Sequence, residues 1–132
     1  MRLYLDANAI IYCVEGVPEF RSAALGWVER ARQVEGSVIL TSRFSRLECL
    51  SKPMSEGDPV KLASFVGFFD TLRLVSITDE LLEQAVALRA RYRLRSADAL
   101  HLATSIAEGA DVFLTSDRRL ARCTEVQVAL IP

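Results

Sequence analysis

The chain is 132 residues long, 51% apolar and 25% charged, with a formal net charge of −1 and a mean hydropathy of +0.22. That length suits one domain, taken as residues 1–132, and the apolar fraction with near-zero charge excludes disorder. The three cysteines, Cys13, Cys49 and Cys123, form no CxxC pair, and with the single histidine they exclude a zinc site of the usual kind. The pattern is that of a reduced, cytoplasmic protein.

Along the chain, apolar runs alternate with segments of helical period. The first run, Arg2–Asp6, reads as a strand. Asp6 and Asn8 interrupt the apolar start, which argues against a signal peptide. No stretch approaches the roughly 18 uninterrupted apolar residues of a membrane span. Phe20 to Val34 carries Phe20, Ala24, Trp27, Val28, Ala31 and Val34 on one helical face, and Gly36 follows where a C-terminal cap belongs. Ser37–Thr41 reads as the second strand, and Ser51–Asp58, with Pro53 and Gly57, as a mobile loop. Asp58-Pro59 is an N-cap with proline at the first helical position, opening a helix through Leu62, Phe65, Val66 and Phe69. Leu72–Ile77 is the third strand, and Thr78 begins an amphipathic helix through Leu81, Leu82, Ala85, Val86 and Leu88. Ser96 is expected to cap a helix from Ala97 to about Glu108 that Gly109 ends. Asp111–Thr115 and Glu125–Ile131 complete five strands. Strands alternating with helices imply a parallel sheet covered on both faces, a small three-layer α/β/α domain. Arg73 and Gln127 interrupt otherwise apolar strands, so the third and fifth belong near the edges.

Ligands of open parallel sheets bind beyond the carboxyl ends of the strands. Asp6 ends the first strand, Asp117 follows the fourth within FLTSD, Asp98 lies in the first turn after Ser96, and Glu48 lies on the helix after the second strand. Taken singly, Asp6 and Asp117 are equally well explained as N-caps, and Asp98 as a complement to the helix dipole. Glu48, between Leu47 and Cys49-Leu50, needs a positive partner if it is pressed toward an apolar face. Taken together, four carboxylates at one end of a sheet repel. Two unit charges 4 Å apart cost about 4 kcal/mol at an effective dielectric of 20. Either one acid holds its proton or a cation sits among them, and hard oxygen ligands suit Mg²⁺ or Mn²⁺. Such a site hydrolyses phosphodiesters through an activated water.

The combination of LDANAII, Glu48 in a helix, SADALHLA and LTSDRRL resembles the PIN-domain ribonucleases, and within them the single-domain VapC-type toxins of bacterial toxin–antitoxin pairs. The resemblance spans essentially the whole chain. It implies a central sheet of about five strands ordered 3-2-1-4-5 and a Mg²⁺- or Mn²⁺-dependent endoribonuclease with RNA as substrate. Asp6 and Asp98 match the two principal metal ligands, and Glu48 and Asp117 match the remaining catalytic acids. Asn8 matches the small polar residue that supports the first aspartate. Thr115 and Ser116 match the polar pair before the last acid, with Ser116 standing where many relatives carry Asn. The resemblance also implies a homodimer and a small antitoxin protein that inserts a segment near the acids.

Of the 16 basic residues, 14 are Arg, whose planar fork suits phosphate and carboxylate. Arg89, Arg91, Arg93 and Arg95 lead up to Asp98; on one helix, Arg89/Arg93 and Arg91/Arg95 share faces. Either they are solvated cations at a helix C-terminus, or Arg95, with Arg43, Arg46 or Arg118, holds RNA phosphates or antitoxin carboxylates. His101 reads as a partly buried structural residue ahead of a general base. The phenylalanines and Trp27 read as core or dimer contacts, and the cysteines as small buried hydrophobes. The rival readings are a PIN nuclease without an antitoxin, a phosphoacceptor domain and a non-catalytic binding module. A phosphoacceptor wants paired acids after the first strand and a lysine after the fifth, whereas Asp6 has no acidic neighbour and Lys52 and Lys61 are mid-chain.

Overall fold

A computed structural model describes residues 1–132. Five strands, β1 (Arg2–Leu5), β2 (Val38–Ser42), β3 (Arg73–Val75), β4 (Val112–Thr115) and β5 (Gln127–Leu130), form one sheet in the order β3-β2-β1-β4-β5. Every neighbouring pair is parallel. The two strands bearing Arg73 and Gln127 are the edges, as their polar residues require. Six helices connect the strands: α1 (Ala7–Glu15), α2 (Pro18–Arg32), α3 (Phe44–Ser55), α4 (Pro59–Phe69), α5 (Asp79–Tyr92) and α6 (Ser96–Ala107). A 3₁₀ turn, Arg118–Arg122, follows β4.

The pleat of β1 distributes its side chains between two cores. Leu3 and Leu5 pack with Ile10, Val28, Cys49, Phe65 and Phe69, from the layer of α1 to α4. Tyr4 packs with Leu40, Leu88, Leu102 and Phe113, under α5 and α6. Tyr4 stacks on its cross-strand partner Phe113 with ring centroids 5.2 Å apart. Burial on both faces is why the central strands are apolar throughout.

Local chemistry fixes most helix ends. Asp58 accepts the Lys61 amide with Pro59 at the first helical position, and Thr78 accepts the Leu81 amide. Three expectations are corrected. The segment 51–58 is not a loop: α3 continues to Ser55 with Pro53 buried inside it. The helix closes when the Asp58 amide reaches back to the Pro53 carbonyl and Gly57, at φ +62°, takes the left-handed position. Ser96 does not cap α6; Arg95 holds the N-cap position, with no side-chain bond. The helix of Trp27 ends at Arg32, and Gly36, at φ +79°, turns the chain toward β2 instead of capping it. At the end of α6, Gly109 does close the helix in the left-handed conformation. No helix is long and apolar enough to cross a membrane.

Candidate active site

Because all five strands run the same way, β1, β2 and β4 end on one edge of the sheet, and the acids gather there. A cleft of about 240 Å³ is lined by Asp6, Asn8, Glu48, Arg95, Asp98 and His101. Asp6 follows β1, Glu48 projects from α3, and Asp98 lies in the first turn of α6. Asp117 follows β4 and adjoins the cleft through Arg95, whose guanidinium lies 3.0 Å from Asp98 and 3.8 Å from Asp117.

Asp6 is 4% exposed. One carboxylate oxygen caps α1 by accepting the Ala9 amide at 2.9 Å, and the other accepts the Thr115 hydroxyl at 2.5 Å. The Thr115 oxygen accepts the Asp117 amide in turn, which ties two acids to one threonine at the end of β4. No arginine or lysine pairs with Asp6. Burial pushes its pKa up to about 6, against the Thr115 and Ala9 bonds and the influence of His101. The nearby Asp98 charge raises it too, as the smallest of the causes. Desolvation therefore dominates, not the mutual repulsion that the sequence suggests.

The other acids are already partnered. Asp117 accepts both the backbone amide of Arg119 and its guanidinium, with contacts of 2.7–3.0 Å, and Arg119 holds its carboxyl below the usual range. Glu48 Oε1 lies 2.6 Å from His101 Nε2. No three of these side chains are arranged in advance as a cage around one ion.

The structure sorts the other expected site residues. Thr115 supports Asp6 directly. Asn8 lines the cleft, but the bonds to Asp6 come from Ala9 and Thr115 instead. Ser116 makes no bond to the last acid, since the Asp117 amide turns to Thr115. Among the arginines, only Arg95 faces the cleft. Arg46 lies over the Phe69 ring at 5.6 Å, and Arg43 and Arg118 are exposed outside it. The paired faces expected for Arg89 to Arg95 do not exist, because α5 stops at Tyr92 and Arg93 turns the chain at φ +54°. That turn brings Arg93, Arg119 and Arg122 together with Arg95 around a small pocket beside Asp98. Sequence spacing misses this group because its members come from two separate turns. His101 is 2% exposed, so it is fully rather than partly buried, and it contacts an acid of the site.

A profile of the PIN-domain family matches residues 3–126. No curated protein sequence matches the chain. Among solved structures, VapBC2 from Rickettsia felis, bound to a fragment of its promoter DNA, superposes with TM-score 0.81 at 16% identity, covering all of both chains. A toxin–antitoxin complex from Klebsiella pneumoniae is similar with TM-score 0.76 at 21% identity, over 98% of both chains. Mycobacterium tuberculosis VapC20, a toxin that cleaves the sarcin–ricin loop, is similar with TM-score 0.65 at 16% identity over 84% of this chain and 86% of its own.

Proposed function

The chain belongs to the PIN-domain family, and on that premise we propose that it is a divalent-metal-dependent endoribonuclease, the toxin of a toxin–antitoxin pair, acting in the cytoplasm. The observation that carries the reading is the gathering of Asp6, Glu48 and Asp98, from three separate elements, around one cleft at the carboxyl edge of a parallel sheet. Asp117 joins them through Thr115 and Arg95.

The donor set fits Mg²⁺ or Mn²⁺. It consists of hard carboxylate oxygens, and the most buried of them, Asp6, lacks a cationic partner and pays for its charge in desolvation. Asp6 and Asp98 would hold the ion, with Glu48 and Asp117 completing the acidic set. When bound there, a divalent cation offsets charge developing on a phosphodiester and makes water a better nucleophile near neutral pH. The chain itself supplies placement. Thr115 and the α1 amide fix the Asp6 carboxylate, Arg119 fixes Asp117, and Arg95 stands between the acids and the arginine pocket. Phosphates of an RNA strand leaving the cleft meet Arg93, Arg95, Arg119 and Arg122, which suit them as planar, permanently charged donors.

The antitoxin part of the reading is supported by the relatives, which are toxin–antitoxin complexes in Rickettsia felis and Klebsiella pneumoniae. An apolar groove of about 250 Å³ between α3, α5 and α6, with Leu82 and Val86 exposed, adjoins the acidic cleft at Ala97 and offers a protein partner a place beside it. Exposed Leu47 and Met54 on α3 are consistent with a homodimer.

The test is cleavage of total RNA by the purified chain with Mg²⁺, with Mn²⁺ and with EDTA. Cleavage that leaves 5′-phosphates, stops in EDTA and falls at least about 100-fold in Asp98→Asn is expected. Undiminished cleavage in EDTA, or by folded Asp98→Asn, overturns the metal assignment.

A further inference from the structure

Behind the acidic cleft, a buried tyrosine and the buried His101 form a polar chain that ends on Glu48. Tyr4, fully buried on β1, accepts the Ser42 amide at 3.1 Å, and its hydroxyl lies 2.7 Å from His101 Nδ1. On the other side of the ring, His101 Nε2 lies 2.6 Å from Glu48 Oε1. The Tyr4 oxygen accepts the Ser42 amide and its hydroxyl pairs with Nδ1, so the opposite ring nitrogen, Nε2, is the one that faces the Glu48 carboxylate. A line of hydrogen bonds thus runs from the end of β2 through β1 and α6 to a carboxylate on α3.

Packing alone does not call for this arrangement. His101 meets Tyr4 and Phe44 edge-on, with ring centroids 5.9 and 6.1 Å away. An apolar ring there would fill the same space without an acid at Nε2. Glu48 has several rotatable bonds and a side chain that is 28% exposed, so it has no fixed direction without a partner. We propose that His101, braced by Tyr4, is a positioning residue that anchors Glu48 through Oε1 and leaves Oε2 for the divalent cation. This rests on the reading of Glu48 as a metal ligand. It matches the general need of ligating side chains for a hydrogen-bonded support that sets their direction.

Two substitutions separate the ends of the imidazole. His101→Asn keeps a polar atom near Nδ1 for Tyr4 but is too short to reach Glu48. His101→Gln retains an amide donor near the Nε2 position. The experiment is a Mn²⁺ titration of the purified chain, with free ion measured by electron paramagnetic resonance and folding checked by thermal unfolding. His101→Asn is expected to bind Mn²⁺ about 10- to 100-fold more weakly, as Glu48→Gln does, and His101→Gln to stay within about threefold of wild type. The double variant His101→Asn/Glu48→Gln should lose no more than Glu48→Gln alone. Wild-type Mn²⁺ affinity in folded His101→Asn overturns the proposal, as does an equal loss in His101→Gln. If His101→Asn does not fold, Tyr4→Phe takes its place, with severalfold weaker Mn²⁺ binding expected and an unchanged affinity overturning the proposal. Failure of the wild-type chain to bind Mn²⁺ defeats the metal reading itself, and the positioning role with it.

Discussion

At Asp6 the two oxygens of one carboxylate do different work, one capping α1 and the other accepting Thr115. The sequence presents capping and metal binding as alternatives for this residue; the structure shows the cap and also places the carboxylate in the lining of the acidic cleft. Its pKa of about 6, against an ordinary 3.8, has a consequence for stability. The folded protein holds this proton more tightly than the unfolded chain does. The stabilisation is therefore fully present below about pH 4 and is lost as pH rises through about 6. A shift of this size corresponds to about 3 kcal/mol. Asn caps a helix about as well as Asp and carries no charge. Asp6→Asn should therefore raise the melting temperature of the metal-free protein by several degrees at pH 7.5 and change it little at pH 4. Thermal scans in EDTA at the two pH values check this. A lower melting temperature at pH 7.5 would mean that the lost carboxylate bonds outweigh the relief of desolvation.

Among the elements, those legible in the sequence were the ones whose signals are local. The five strands, the Asp58-Pro59 start, the Thr78 cap and the Gly109 stop depend on neighbours in the chain. Pro53 was misleading because its missing amide is tolerated where the rest of the turn is bonded and buried. The α5–α6 turn was illegible because it puts an arginine where glycine is usual. The Leu94 amide bonds the Arg89 carbonyl, the signature of a helix end with Arg93 in the left-handed position. That conformation costs a residue with a Cβ about 1 kcal/mol, so something other than stability accounts for the side chain. The side chain lines the arginine pocket, the surface proposed above for RNA phosphates. Arg93→Gly is expected to leave the melting temperature unchanged or slightly higher. RNA binding measured in EDTA should weaken severalfold, with the slope of log K against log salt concentration becoming shallower by about 0.7 per lost phosphate contact. Unchanged RNA affinity would remove Arg93 from the nucleic-acid surface.

Over the whole molecule, a net charge of −1 conceals two opposed fields placed side by side. Three of the acids at the sheet edge are legible by position, since Asp6 and Asp117 follow strands and Asp98 opens α6, whereas Glu48 stands inside α3 among apolar neighbours. The partners of the acids are not legible, since Arg119 and Arg95 reach Asp117 from different turns and His101 reaches Glu48 across 53 residues. On the proposed reading those partners would compete: an ion held by Asp98 would loosen the hold of Arg95 on that carboxylate and leave the guanidinium free for phosphate. Arg95 is 64% exposed, so its ion pairs with Asp98 and Asp117 are screened and worth no more than about 1 kcal/mol. Arg95→Ala should accordingly bind Mn²⁺ up to about fivefold more tightly while binding RNA more weakly. Opposite signs from one substitution separate a counterion that yields its place from one that merely holds the fold together. The pair of measurements is a Mn²⁺ titration and an RNA-binding titration on the same preparation. Weaker Mn²⁺ binding in Arg95→Ala would show that the guanidinium orders the acids for the ion instead of competing with it.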